Sequence, residues 1–255
     1  MLRESFRNDT EVIKTGMQYT DVAEKIGAML GLATPPVALS FVEGPPEGIA
    51  TTEQAVPSAC SFWRVAETGL FYAPADKHFN CPIGSMTMGF DLPPEVQQNL
   101  MGFVQMMTGN GYIAADEPPN IPTVKKQSGG IVYGPLKDFP FEPDVVLCWL
   151  TPRQAMLYNE AVGQAHWTEH APSTPLGRPA CAALPTALNS AQPQLSMGCT
   201  GMRTFTDISD DRLLVVLPGA KLSELLQSLE ATIESNGKMQ EFYSQHKASF
   251  PPLNA

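Results

Sequence analysis

The sequence predicts an α/β fold made of two pseudo-repeated lobes of short strands and helices, forming one compact unit with a cysteine site at the lobe interface. Three observations carry this. Short apolar runs flanked by Pro and Gly alternate with segments of helical period. Two ordered sets of similar segments recur along the chain. Four cysteines occupy matching places in those sets.

The first seventeen residues are polar and aperiodic and are expected to form a loose arm, residues 1–17, ahead of a first lobe, 18–142, and a second, 143–255. A helix is expected from Asp21, where Asp21 with Glu24 suggests a capping box and Val22, Ile26, Met29 and Leu30 share a face; Gly31 stops it. Val37–Phe41 has the length and flanks of a buried strand. The periodic positions Val96, Leu100, Phe103, Val104 and Met107, opened by Pro93-Pro94, predict a helix docking one face on a core. Ile131–Tyr133 and Val145–Leu150 follow as strands, and Thr151-Pro152 as N-cap and N1 of a helix to about Ala161. Leu213–Leu217 is a further strand. A helix carrying Leu222, Leu225, Leu226, Leu229 and Ile233 comes after it, and a separate amphipathic segment near Met239 and Phe242 closes the chain.

The halves match in detail. Each has a buried strand, then Ala59-Cys60 or Ala180-Cys181, then a glycine-bearing turn with a second cysteine, Cys81-Pro82-Ile83-Gly84 or Gly198-Cys199-Thr200-Gly201. A twofold relation between the lobes would bring Cys60, Cys81, Cys181 and Cys199 to one point, where cofactors are commonly held.

Composition narrows the partners. A net charge of −10 and a pI near 4.8, without a basic block, exclude nucleic acid. No apolar run approaches the roughly 20 residues that span a bilayer, so no membrane partner is expected. The N-terminus lacks the apolar core of a secretory signal, and an odd count of five cysteines suits a reducing cytoplasm. A homodimer is the default expectation.

Thiolates bind soft metals, and four can close a zinc site or ligate an iron–sulfur cluster. The tight Cys-x₂₋₄-Cys knuckles of structural zinc are absent, and four isolated cysteines favour a bulkier 4Fe–4S cluster. Arg64 and Arg203, four residues after Cys60 and Cys199, and His78, three before Cys81, are candidates to contact that cofactor. Cys148 lies within an apolar strand and is left out of the site; His166 and His170 share one helical face and read as a solvated helix end. The leading expectation is a redox protein that passes electrons to a partner protein or reduces a small-molecule substrate. Alternatives are a zinc module or metal carrier, a thiol enzyme using Cys81 or Cys199, and a haem protein. Nucleotide-binding glycine motifs and the serine hydrolase elbow are absent.

The segments Ala59–Trp63, Asn80–Gly84, Ile131–Leu136, Pro143–Leu147 and Gly198–Arg203 together resemble the family called domain of unknown function 169, over nearly the whole chain from Gln18. The resemblance implies that the cysteines in these segments matter. It does not specify a metal or an activity.

Overall fold

The computed structural model describes residues 18–163 and 180–252, so the expected arm and both His166 and His170 lie outside the described residues. Among the described residues six strands form one wholly antiparallel sheet: β1 (Val37–Val42), β2 (Phe71–Pro74), β3 (Gly130–Pro135), β4 (Val145–Leu150), β5 (Gln194–Ser196) and β6 (Leu213–Pro218), in the order β2-β3-β1-β4-β6-β5. At the centre β1 meets β4 with Val37 opposite Leu147 and Leu39 opposite Val145, so both halves of the chain share a single sheet.

Among the described residues eight helices cover it: α1 (Tyr19–Leu30), α2 (Ser61–Val65), α3 (Pro82–Thr87), α4 (Pro94–Gly109), α5 (Pro152–Ala161), α6 (Ala183–Ser190), α7 (Thr200–Thr206) and α8 (Leu222–Ala248). Successive strand residues point to opposite faces, and both faces are buried, which is why the strands read as unbroken apolar runs. On one face Ala38, Val132, Val146, Cys148 and Val215 pack under α1, α5 and α8. On the other, Leu39, Tyr133, Leu147 and Val216 pack with the short helices and Cys60 and Cys181.

The first helix starts at Tyr19 behind Gln18 with no side-chain cap, so the expected Asp21 to Glu24 capping box does not form. Asp21 instead sits in the first turn, where its charge suits the helix dipole. Gly31 ends the helix in the left-handed region, φ 64°. Thr151 does form a capping box with Gln154, whose amide also donates to the Leu30 and Gly31 carbonyls at 2.9 and 2.8 Å, pinning the end of α1 to the start of α5. The segment around Met239 and Phe242 is a continuation of α8 rather than a separate cover, and both side chains are exposed. Among the described residues no helix is long and apolar enough to cross a membrane.

A four-thiol cavity

Four cysteines from distant parts of the chain line one cavity of about 720 Å³. Each precedes a short helix. Cys60 stands directly before α2, Cys81 before α3 with Pro82 in its first turn, and Cys199 before α7. Cys181 lies in a 3₁₀ turn, Ala180–Ala182, that leads into α6. Proline in the first turn costs nothing, because that amide has no intrahelical partner, and it presets φ for the helix. The Cys81 amide donates to the His78 carbonyl at 2.9 Å and the Ser85 amide to the Cys81 carbonyl at 2.8 Å, so the Cys81 backbone is held on both sides.

The thiols are close enough to act on one another. The Ser58 hydroxyl reaches Cys60 Sγ at 3.0 Å and Cys81 Sγ at 3.7 Å, bridging the two. Burial pushes the Cys60 thiol up to about 12, opposed by the Ser58 hydrogen bond and reinforced by Cys81 and Cys199. Burial likewise raises Cys181 far above the ordinary thiol range, with added contributions from Cys81, Cys60 and Cys199. The Cys199 sulfur accepts from the Met202 amide at 3.4 Å, capping the first turn of α7. Gly84 is required at its place: a Cβ there would lie 2.7 Å from the Ala59 Cβ and 2.9 Å from Cys81 Sγ, forcing the Cys60 and Cys81 segments apart. Among the described residues no three His, Cys, Asp or Glu side chains are grouped so as to hold a metal ion.

The remaining sequence candidates stand behind this wall rather than in it. His78 is fully buried, with Nδ1 donating to the Pro74 carbonyl at 2.9 Å, which leaves Nε2 to accept from the Tyr133 hydroxyl at 3.0 Å. Its ring packs against Phe62 and Phe90. Desolvation pushes its pKa down to about 4, outweighing the hydrogen bond to Pro74. Arg64 pairs with Glu67. Arg203 donates to the carbonyls of Met197, Ser209 and Arg212 at 2.9 to 3.0 Å, bracing the two backbone segments that flank α7. None of the three lines the cavity. Cys148 lies in the core on the opposite face of the sheet, where burial raises its thiol to about 12.

Sequence reasoning missed the opposite wall. The face of α4 expected to dock on a core does so through Leu100, Val104 and Met107, which pack with Ile83 and Ile113, while Phe103 and Met106, 39% and 50% exposed, border the cavity. A helical stripe shows that a face is apolar and leaves open whether side chains or a void lie opposite. The roles of Ser58 and Tyr133 had no local signal at all.

An antiparallel sheet clad on both faces and a cavity walled by thiols define a mixed α/β protein with a cysteine-lined pocket. The chain belongs to the family DUF169, described as uncharacterised ArCR, whose model matches residues 25–228. It is similar to the uncharacterized protein MJ0308 of Methanocaldococcus jannaschii, 28% identical over 221 residues, covering 82% of this chain and 92% of that protein. No solved structure matches.

Proposed function

We propose that Cys60, Cys81, Cys181 and Cys199 together hold an iron–sulfur cluster of the 4Fe–4S type, and that the protein carries electrons for a partner protein or for reduction of a small molecule. The observation that carries this reading is the arrival of four thiols from four segments at one cavity wall. A single tetrahedral ion needs its ligands packed around one point. In a 4Fe–4S cluster each thiolate binds a different iron, so the larger group can be held by thiols that do not meet at one point.

The repeat supports the same reading. Exchanging β1, β2 and β3 for β4, β5 and β6 turns the sheet order into its own reverse. The register follows: Val37 pairs with Pro135 as Val145 pairs with Pro218, and Phe71 with Tyr133 as Gln194 with Val216. Both Pro135 and Pro218 are followed at once by a 3₁₀ turn. Cys60 and Cys181 fall between the first and second strands of each unit, Cys81 and Cys199 between the second and third, the order that a twofold relation between the units requires.

Because burial holds the Cys60 thiol protonated at neutral pH, ligation must displace its proton. Protein purified without oxygen is expected to be brown, with iron and acid-labile sulfide in equal amounts and visible absorption bleached by dithionite. Reconstitution is expected to weaken as the pH is lowered from 8 to 6. Colourless protein carrying zinc, or none of these metals after reconstitution, contradicts the proposal.

A further inference from the structure

The thiol wall is only part of the cavity, and the rest comes from one insertion. In the second unit α7 is joined to β6 by the short stretch Asp207–Arg212. The corresponding stretch of the first unit, between α3 and β3, runs from Met88 to Gly129 and contains α4. From it come Phe103, Met106, Met107, Ile113 and Ile121, which line the cavity together with the four thiols. A site needing only four thiolates has no use for this apolar wall.

Its chemistry restricts what can fill it. Among the described residues that line it there is no Lys, Arg or His. Glu117, the acidic one, already accepts from the Ala114 amide at 2.6 Å. An anionic ligand such as a nucleotide or carboxylic acid would enter without a counter-charge, in a chain of net charge −10. Apolar area on such a ligand would instead cover Phe103, Met106 and Phe205, large side chains left 39%, 50% and 46% exposed at the cavity. Methionine walls adapt to ligands of varied shape. The volume of about 720 Å³ falls in the range of pockets that hold drug-sized ligands.

We infer that the cavity binds a neutral, predominantly apolar small molecule between the thiol wall and α4. This names the substrate class of the site proposed above and rests on that reading for its redox role, though not for the binding itself. The test is titration of the full chain, loaded with iron and sulfide under anaerobic conditions, with the neutral dye Nile red. The dye is expected to bind saturably, one per chain, with blue-shifted emission. Phe103→Glu and Met106→Glu, at exposed positions that leave the thermal midpoint unchanged, are expected to weaken it at least about tenfold by setting a carboxylate against the ligand. Failure to saturate, or equal affinity in both variants, overturns the inference. Iron and sulfide are measured on the same samples: metal present without dye binding removes the apolar ligand alone, whereas dye binding by metal-free protein removes the cluster and leaves the ligand.

Discussion

Replacing any one of Cys60, Cys81, Cys181 or Cys199 by Ala is expected to cut bound iron by at least about tenfold, whereas Cys148→Ala keeps full loading. The two kinds of substitution separate stability from ligation. Cys148 sits within the core beneath α1, α5 and α8, so its loss leaves a small void and costs about 1 kcal/mol of folding free energy while the cofactor stays. Cys81 and Cys199 are only partly buried, so their removal costs the fold little and the cofactor most. Iron content and the urea midpoint, measured on the same five variants, should therefore move independently. A Cys148→Ala protein without iron, or a Cys199→Ala protein with a full complement, would refute the ligand set.

Acid sensitivity centred on His78 is the second large effect. The imidazole is neutral and fully used, and its folded pKa lies at about 4 against an ordinary 6.5. The stability held by this group is present in full above pH 6.5 and is lost as pH falls from 6.5 through 4, because the unfolded chain takes up the proton first. At about 1.4 kcal/mol per tenfold in proton affinity, the gap is worth about 3 kcal/mol. Wild-type protein is expected to lose urea resistance between pH 6.5 and 5, a window above most carboxylate titrations. His78→Gln should start less stable at pH 7 and follow a flatter profile through the same window. Parallel profiles would show that His78 titrates normally. The consequence reaches the site, because the His78 carbonyl holds the Cys81 amide and the Ser85 hydroxyl at 2.9 and 2.8 Å.

The two effects also mark where the chain could be read directly. Strands β1, β3, β4 and β6 are recognisable because each is an apolar run closed by Pro or Gly, and α5 because Thr151-Pro152 is a start signal with its cap. Edge strands β2 and β5, of four and three residues, are too short to show any alternation. The same limit hides α2, α3 and α7, five to seven residues each, although Cys60, Cys81 and Cys199 stand directly before them. Matching cysteine segments were visible as text; strand order was not, since runs buried on both faces hold no record of their neighbours. His78 looked like a candidate ligand because Cys81 is near in sequence, yet its hydrogen-bond partner Tyr133 lies 55 residues away. Arg203 is a similar case, with all three of its carbonyl partners on flanking loops.

Native mass spectrometry of the anaerobically reconstituted chain bears most directly on whether the four thiols share one cofactor. The expected spectrum shows a single added mass of four irons and four sulfides per chain, present in Cys148→Ala and missing from the Cys181→Ala variant. A chain carrying one metal ion, or the bare polypeptide mass under the same conditions, would contradict a shared cluster at this wall.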